Sequence, residues 1–378
     1  MSSFAITKIS VKNFKSLADF DISNLPKFVC LIGVNGAGKT TVLQVLGFVR
    51  AMMAGKINDW LLSHDMAVNE LFTIGSEKRS TIEIKIEALI DEEKAIWECK
   101  FNPREMRCSY EKLFEKGNVY IFSSGKLSIQ KKNETEPQIL DFERTNYEGS
   151  IFSFILTDLS GCLRSMRLFG VLDPGAIAKS TRFSSNKIAP DVLENGENIC
   201  GFIASLPTEL QQQIFNSLCK FYPSLIDFKV RNQRFGWKSL LFSELEKTTF
   251  SASNLSYGTL RLFLLISQQY TQSNTIMFDE IENGFNQELF EDLVNMLLNY
   301  GKPVKQVCVT THSGLFLNYL PDEIARQSVF FLYKDSHNHT KATRFFDIKR
   351  MNEKLNVLGP GEAMGDTNLI KLSEELRG

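Results

Sequence analysis

Histidine is scarce and closely paired cysteines are absent in this chain of 378 residues. Four histidines are too few for a histidine-rich metal site, and the seven cysteines include no C-x-x-C pair, which excludes a zinc hook or ribbon. The chain also lacks an N-terminal signal pattern and any apolar run long enough to cross a membrane. We therefore expect a cytoplasmic protein with reduced thiols and no membrane contact.

An excess of charge of either sign is also missing, because the formal net charge is −1 at pH 7. This value argues against a surface that is basic throughout, although local basic patches are compatible with it. Heptad repeats are absent, which excludes a long coiled coil. With 43% hydrophobic and 23% charged residues, the composition is that of a globular protein.

A glycine-rich loop near the N-terminus follows a short apolar segment, Phe28–Ile32, that predicts a buried strand. The loop reads Gly-Val-Asn-Gly-Ala-Gly-Lys-Thr and matches the G-x-x-x-x-G-K-[ST] phosphate-binding pattern, with helical spacing after it. Lys39 would contact the terminal phosphates of a nucleotide, and the Thr40 hydroxyl would bind Mg²⁺. The residues predicted to bind the nucleotide here are Asn35, Gly36, Ala37, Gly38, Lys39, Thr40 and Thr41.

Two carboxylates end a second apolar segment, Thr275–Phe278. Asp279 is predicted to bind Mg²⁺, and Glu280 to accept a proton from the water that attacks the terminal phosphate. Alone, the pair would equally suit a solvated strand end, but the phosphate-binding loop in the same chain favours catalysis. A third apolar segment, Gln306–Thr310, is followed by His312, which we expect to contact the terminal phosphate, because α/β sheets bind ligands where their strands end.

A turn with a free hydroxyl and a glycine, Ser256-Tyr-Gly258, precedes an apolar helix. Helix N-termini present unpaired N–H groups, so this turn is a second potential anion-binding site. Taken alone, it would be only a capped helix. One nucleotide and two such sites in the same chain suggest that Ser256 and Gly258 bind the nucleotide held by a second copy.

Five segments, in this order, resemble the heads of ABC-type ATPases. The similarity is to the OLD, RecF and SMC-like branch, especially the compact ATPases that act with effectors in bacterial anti-phage defence. The segments are Asn13–Ser16, Gly33–Thr40, Ser256–Arg261, Asp279–Gly284 and Thr311–Ser313. Asp191–Asn198 also resembles that group. The resemblance implies a head-to-tail homodimer that encloses two ATP molecules, with Glu280 as the catalytic glutamate and His312 as the switch histidine.

The sequence departs from that group after its acid pair. The differing residues are Ile281, Phe285, Asn286 and Gln287. The loop that crosses the dimer in the family is therefore expected to make different contacts here. The glutamine that lines the Mg²⁺ site in the family has two candidates in this chain, Gln130 and Gln138, and the pattern does not choose between them.

We predict an α/β fold in which one ABC-type head combines a mixed β-sheet lobe, an N-terminal antiparallel β-subdomain and a helical insertion. Near-alternation of apolar residues over 4–12 predicts a strand with one shift of register. The predicted divisions are a nucleotide-binding lobe with a β-meander over 1–130, a mostly helical insertion over 131–224 that begins with an exposed loop over 131–150, a second lobe with the signature turn, acid pair and histidine over 225–345, and a helical tail over 346–378.

Two cationic segments are candidates for contact with nucleic acid. The first contains Arg164, Arg167, Lys179, Arg182 and Lys187, and the second contains Lys229, Arg231, Arg234, Phe235, Trp237 and Lys238. The alternatives are a solvated surface for the first segment and one face of a strand for the second. Binding of nucleic acid is an expectation that the sequence leaves open.

The sequence thus predicts an enzyme that binds and hydrolyses ATP with Mg²⁺, dimerises around the nucleotide, and controls an effector or a DNA-linked event. The chain after His312 is too short for the nuclease domain of OLD-type proteins, so a nuclease or toxin would be a separate partner. One alternative is an ATP-sensing scaffold with little turnover that holds a partner inactive, and another is a RecF-like repair ATPase. A transporter ATPase is disfavoured because the signature reads Ser-Tyr-Gly-Thr instead of Ser-Gly-Gly-Gln.

Overall fold

The computed structural model describes residues 3–75, 81–170, 174–178, 180–182, 192–244, 248–301 and 304–377, and it contains both strands and helices. The strands in these ranges are β1 (Phe4–Phe14), β2 (Leu17–Ser23), β3 (Phe28–Ile32), β4 (Ile82–Ile90), β5 (Glu93–Asn102), β6 (Arg107–Glu115), β7 (Asn118–Ser123), β8 (Lys126–Gln130), β9 (Gln138–Asp141), β10 (Arg167–Phe169), β11 (Thr181–Arg182), β12 (Leu225–Asn232), β13 (Trp237–Glu244), β14 (Thr249–Ser251), β15 (Thr275–Phe278), β16 (Gln306–Thr310), β17 (Val329–Lys334) and β18 (Thr340–Arg344). The α-helices are α1 (Lys39–Ala54), α2 (Ile57–Ser63), α3 (Asp158–Ser165), α4 (Pro174–Ala178), α5 (Ile199–Ser205), α6 (Thr208–Phe221), α7 (Tyr257–Gln268), α8 (Phe290–Leu298), α9 (Gly314–Asn318), α10 (Asp322–Ser328), α11 (Lys349–Leu355), α12 (Pro360–Gly365) and α13 (Leu369–Glu375).

An antiparallel sheet is built mainly from the N-terminal third of the chain, in the order β2-β1-β4-β5-β6-β7-β8-β9. Apolar residues alternate along its strands, and in β4 the side chains of Ile82, Ile84 and Ile86 are buried on one face. The predicted β-meander is confirmed. The predicted shift of register is also confirmed, because the pairing of β1 with β4 shifts between Ile6 and Lys8.

The predicted exposed loop over 131–150 is wrong in one respect. Gln138–Asp141 forms β9, which pairs antiparallel with β8 at the edge of the sheet. Three of its four residues are exposed. A short edge strand without a buried face carries no periodic signal, so the sequence pattern did not indicate it.

A second sheet has the order β10-β15-β16-β3-β17-β18, and it is parallel from β10 to β17. Every residue of β3, β15 and β16 is buried, as expected for strands covered on both faces. Parallel neighbours end at the same edge of a sheet, so the segments that follow these three strands meet there. This edge carries the candidate site.

The predicted helical insertion over 131–224 contains α3, α4, α5 and α6, but two short strands interrupt the helices. Arg167–Phe169 forms β10 and pairs with β15 inside the parallel sheet. Thr181–Arg182 forms β11 and pairs with β13. Two- and three-residue strands are too short for an alternating pattern, so only their long-range pairing shows them.

Two apolar cores lie on opposite faces of the parallel sheet. Alternate residues of β3 divide between them: Val29 and Leu31 belong to the core shared with the antiparallel sheet and α1, whereas Cys30 and Ile32 belong to the core shared with the later helices. The parallel sheet is therefore the central layer of the molecule. In the ranges that the structure describes, no helix is both long and apolar enough to cross a membrane.

Candidate functional site

The phosphate-binding loop connects β3 to α1 and is shaped by two close approaches of the backbone. Gly38, directly before α1, has φ 106°, and a Cβ atom there would lie 2.3 Å from Thr340 Oγ1. A Cβ atom on Gly33 would lie 2.4 Å from the carbonyl oxygen of Leu332 on the neighbouring strand. Glycine is therefore required at both positions, because a side chain would clash with these oxygen atoms.

Lys39 is the first residue of α1, and its side chain is only 6% exposed. Its Nζ donates to the carbonyl oxygens of Gly33 at 2.9 Å and Val34 at 3.2 Å, so the ammonium lies over the loop. Burial lowers the pKa of Lys39, and the nearby carboxylates, Asp279 most strongly, oppose that shift. The ammonium is thus placed beside both the loop and the acid pair.

Thr40 and Asp279 are 239 residues apart in the chain and in direct contact, with Thr40 Oγ1 donating to Asp279 Oδ2 at 2.8 Å. The other carboxylate oxygen accepts a hydrogen bond from Thr310 Oγ1 at 2.6 Å. A hydroxyl and a carboxylate suit Mg²⁺, which prefers oxygen ligands and keeps several waters. Within the described ranges there is no cluster of three or more histidine, cysteine, aspartate or glutamate side chains that would form an all-protein cage.

Glu280 follows Asp279 in a left-handed backbone conformation, with φ 47°, which is uncommon for a residue with a side chain. Two contacts hold it there. Its N–H donates to Thr310 Oγ1 at 2.8 Å, and Arg261 Nη2 donates to the carbonyl oxygens of Asp279 and Glu280 at 3.0 and 2.8 Å. The carboxylate accepts a hydrogen bond from the Asn283 amide. The residue predicted to be the base is therefore positioned by groups from three elements.

His312 lies just beyond the end of β16 and is exposed, within electrostatic range of Lys39 and the acid pair. We refer to the space among these residues as the cleft. Its backbone N–H donates to Glu282 Oε1 at 2.6 Å. Burial lowers the pKa of His312, and the positive charge of Lys39 lowers it further, while Glu282 and the acid pair oppose both effects. A lowered pKa favours the neutral imidazole at pH 7, which carries one N–H that can donate to a phosphate oxygen.

Ser256 and Gly258 lie apart from this cluster in terms of contacts. Ser256 caps α7, and its Oγ accepts from Thr259 N at 3.2 Å and contacts Thr259 Oγ1 at 2.8 Å. A Cβ atom on Gly258 would lie 2.1 Å from the carbonyl oxygen of Gly284, in the loop after the acid pair. Across the described part of the chain, no hydrogen bond joins Ser256 to the phosphate-binding loop. Ser256 is nevertheless exposed at the surface, where another molecule can contact it.

The other predicted loop residues differ in their surroundings. Asn35 and Gly36 are exposed at the tip of the loop, and Thr41 is half-buried in the first turn of α1. Ala37 is buried, and its carbonyl oxygen accepts a hydrogen bond from Thr340 Oγ1 at 2.9 Å. The structure therefore brings Lys39, Thr40, Asp279, Glu280 and His312 to one cleft, whereas the Ser256 side chain bonds to Thr259 of its own helix.

Three residues that support the site were not given roles from the sequence. Glu282 accepts the backbone N–H of His312, and Thr310 hydrogen-bonds to Asp279 and to the Glu280 backbone. Arg261 donates to carbonyl oxygens of the segment Asp279–Gly284, which we call the acid loop. Arg261 did carry a signal, since it is one cation in an apolar helix and is only 4% exposed. A buried charge needs partners, and here they are carbonyl oxygens.

Neither glutamine candidate lies in the cleft. Gln130 ends β8 and bonds to the turn that follows it, and Gln138 begins the exposed edge strand β9. Both strands are at the edge of the antiparallel sheet opposite β2. Of the segment that resembles the family over 191–198, residue 191 lies outside the described ranges, and Glu194 forms an ion pair with Arg50 of α1 at 3.0 Å.

The first cationic segment does not form a continuous basic surface in the described residues. Arg164 donates to three backbone carbonyl oxygens at 3.0–3.2 Å, and Arg167 donates to two at 2.8 and 3.2 Å. These two guanidiniums therefore bind backbone carbonyl oxygens of their own chain, and contact of this segment with nucleic acid stays a prediction. Lys179 and Lys187 lie outside the described residues, and the backbone of Arg182 belongs to β11.

Two family models match the chain. The model described as "AAA ATPase domain" matches residues 5–164, which contain the phosphate-binding loop. The model described as "AAA domain, putative AbiEii toxin, Type IV TA system" matches residues 180–318, which contain the signature turn, the acid pair and His312. Together they cover most of the chain and all of the residues gathered in the cleft.

A curated relative and solved structures agree with these matches. An "ATP/GTP phosphatase" of Helicobacter pylori (strain ATCC 700392 / 26695) is 22% identical over 361 residues, which is 86% of this chain and 90% of the relative. An Smc head bound to the C-winged helix domain of ScpA has a TM-score of 0.57 at 14% identity and covers 89% of this chain and 97% of its own. The Smc head domain with an extended coiled coil, bound to the C-terminal domain of ScpA derived from Pyrococcus furiosus, has a TM-score of 0.56 at 14% identity with full coverage of both chains. These two structures share the fold of this chain.

Proposed function

Because two AAA-domain models match this chain, we propose that it is a P-loop ATPase of the ABC and SMC-like type, that two copies close around two ATP molecules, and that hydrolysis controls a separate effector protein. The observation that carries the proposal is the contact of Thr40 with Asp279 at 2.8 Å. It joins the phosphate-binding loop to the acid pair in one chain, while Ser256 stays outside that cleft. Each copy would then supply half of two composite sites.

Within one chain, the residues of the cleft perform the steps that hydrolysis needs. The loop N–H groups and Lys39 bind the β- and γ-phosphates, and Thr40 and Asp279 would hold Mg²⁺, which neutralises phosphate charge when bound. Glu280 accepts a proton from the attacking water as the oxygen–phosphorus bond to ADP breaks, releasing ADP and phosphate. His312, neutral at pH 7, donates to a γ-phosphate oxygen.

Between chains, the signature turn supplies what the cleft lacks. In the proposed dimer, the Ser256 hydroxyl and the free N–H groups at the start of α7 face the γ-phosphate bound by Lys39 of the other copy. Arg261 extends from the same helix to the carbonyl oxygens of Asp279 and Glu280 in its own chain. Contact of Ser256 with the ATP of the other copy would therefore affect the position of Asp279 and Glu280 in its own chain.

Control of an effector is supported by the family descriptions. The model over 180–318 is described with a toxin and a type IV toxin–antitoxin system, and the two Smc heads were solved with segments of ScpA bound. A head that closes on ATP can present a surface that its open form lacks, and a partner that binds only the closed form responds to the nucleotide. We propose a toxin or nuclease as that partner, in a defence role.

Dimerisation and turnover can be tested with two variants. In Glu280→Gln we expect ATP to be bound but turnover to fall by about 10² or more, because the base is lost. ATP should then trap a dimer, which light scattering would detect. Ser256→Arg should still bind ATP as a monomer and fail to dimerise, whereas Ser336→Arg, in an exposed turn, should dimerise normally.

Unchanged hydrolysis by Glu280→Gln would remove Glu280 from the role of base. A normal dimer of Ser256→Arg would exclude the composite site. A third outcome is that the wild type dimerises on ATP but hydrolyses it only slowly, both alone and with the proteins that copurify with Glu280→Gln. The chain would then be an ATP-sensing scaffold in which hydrolysis is not the controlling step.

A further inference from the structure

A hairpin between α6 and α7 concentrates positive charge. It consists of β12, the turn Gln233–Gly236 and β13, and we refer to residues 229–238 as the cationic hairpin. Its cations are Lys229, Arg231, Arg234 and Lys238, and no acidic residue lies between Asp227 and Glu244. For a chain with a formal net charge of −1, this is a marked local excess of positive charge.

Two aromatic side chains are exposed on the same hairpin. Phe235 is 83% exposed and Trp237 is 41% exposed, whereas Trp60 and Trp97 are buried. Phe235 also has φ 57°, in the left-handed region that bulky residues seldom occupy. The exposed apolar ring and the left-handed backbone each lower the stability of the fold. A binding role explains why the ring is there.

The register of the sheet shows which side chains face outward. Val230 pairs with Leu240, and Phe228 pairs with Phe242, on the face that packs into the core. Side chains alternate between the two faces along each strand, so Arg231, one position after Val230, and Trp237, three positions before Leu240, lie on the outer face. Lys229 is there too, paired with Asp227 at 3.1 Å. Arg231 and Arg234 form no ion pair with any residue that the structure describes.

We propose that the cationic hairpin binds a single strand of nucleic acid. Phosphates would lie against Arg231 and Arg234, and unstacked bases would stack on Phe235 and Trp237. A duplex hides the faces of its bases, so exposed aromatic rings favour a single strand. Amide and hydroxyl side chains also lie on this hairpin, and they can hydrogen-bond to bases and would be costly to bury in a lipid surface. The proposal does not depend on ATP-driven dimerisation.

The test uses the full chain with labelled oligothymidylate and oligouridylate of about 12 nucleotides, a length within the site sizes of small single-strand-binding domains. Fluorescence anisotropy gives the affinity over about 50 to 200 mM salt. Intrinsic fluorescence gives a second signal, since Trp237 is the exposed tryptophan and a base stacked on it should quench it. A matched duplex and vesicles of anionic phospholipid are the competing ligands.

We expect the double variant Arg231→Ala, Arg234→Ala to bind at least about tenfold more weakly, with the slope of log K against log salt reduced by about 1.4, or 0.7 for each lost phosphate contact on a single strand. Phe235→Ala should weaken binding about tenfold without changing that slope, because stacking carries no charge. Lys371→Ala, on the exposed face of α13, should bind as the wild type does, and basal ATP hydrolysis should be unchanged in all three.

The two oligonucleotides distinguish DNA from RNA, and preference for either supports the proposal. Four results would overturn it: no binding of either strand, equal or tighter binding of the duplex, binding of vesicles without binding of oligonucleotides, or an unchanged affinity in Phe235→Ala. The last result would mean that general electrostatic attraction and not the hairpin surface accounts for binding.

Discussion

At the scale of single residues, Glu282 has the most unusual surroundings in the cleft. Its Oε1 accepts the backbone N–H of His312 at 2.6 Å, while its Oε2 is buried without a hydrogen-bond partner in the described structure. A buried carboxylate oxygen without a partner is unfavourable, and its charge acts on both His312 and Lys39. We therefore expect Glu282 to position the backbone at His312 and to tune its imidazole.

The Glu282→Gln variant tests this electrostatic role. Glu282 raises the pKa of His312 against the lowering effects of burial and Lys39, so loss of its charge should lower that pKa further. If turnover needs the neutral imidazole, activity is lost as pH falls through this pKa. The acidic limb of the kcat/KM profile should therefore move to lower pH in Glu282→Gln.

The matched variant Glu282→Ala removes the hydrogen-bond acceptor as well as the charge. We expect kcat to fall by about tenfold to a hundredfold, the usual loss when an outer supporting group is removed, in addition to the shift of the acidic limb. A purely structural role would lower activity equally at all pH values, and that outcome would contradict the tuning of His312.

At the scale of elements, α7 connects the signature turn to the catalytic loop. Ser256 caps its start, Gly258 packs against the Gly284 carbonyl in its first turn, and Arg261 holds the acid loop one turn later. Phe285, one of the departures from the family pattern, has its ring centre 5.7 Å from the Arg261 guanidinium carbon. The helix α7 therefore connects Ser256, which is proposed to contact the partner's ATP, with the loop that carries Glu280 in its own chain.

Gly258→Ala should uncouple these two parts. The added Cβ would lie 2.1 Å from the Gly284 carbonyl oxygen, so the helix or the acid loop must move. A shift of about 1 Å in the position of a reacting group lowers turnover by about a hundredfold. ATP binding through Lys39 should change little. Steady-state hydrolysis and calorimetry of nucleotide binding measure the two effects.

Gly365→Ala is the control for that substitution, because it places the same methyl group in a helix with nothing within 4 Å. It should hydrolyse ATP as the wild type does. Full turnover by Gly258→Ala would show that the close packing of helix and loop does not matter for catalysis.

At the scale of the whole molecule, one buried amide joins the two sheets. Gln306 of β16 accepts from Ile6 N at 2.8 Å and donates to the carbonyl oxygens of Ile6 at 2.8 Å and Pro26 at 3.0 Å. β2 pairs with β1 only from Lys8 onward, so the backbone at Ile6 is left for Gln306. These bonds connect positions 300 and 280 residues apart.

Gln306→Leu should lower the free energy of unfolding by about 3 kcal/mol, because it leaves three buried backbone groups without partners. Gln212→Leu, at an exposed position of α6, should change it by no more than about 0.5 kcal/mol. Urea denaturation of both variants measures the difference. Equal stability of the two would show that apolar packing alone holds the sheets together.

Local chemistry explains how much could be predicted from the sequence. The phosphate-binding loop depends on consecutive residues, and the strands of the antiparallel sheet up to β8 depend on alternation within each segment, so both were evident without coordinates. The order of the apolar strands also predicted that Asp279 and His312 would lie near Lys39, because parallel strands end at one edge. The chemical roles assigned to these residues remain predictions for the experiments above.

The sequence by itself determined the type of enzyme and the chemistry of its loop, because a phosphate cradle is made from neighbouring residues. Only the tertiary structure decided what supports that loop. The contacts of Glu282 with His312, Arg261 with the acid loop, and Gln306 with Ile6 join residues 30, about 20 and 300 positions apart. Such bonds leave no periodic trace in a sequence, since each depends on where the whole fold places one donor and one acceptor.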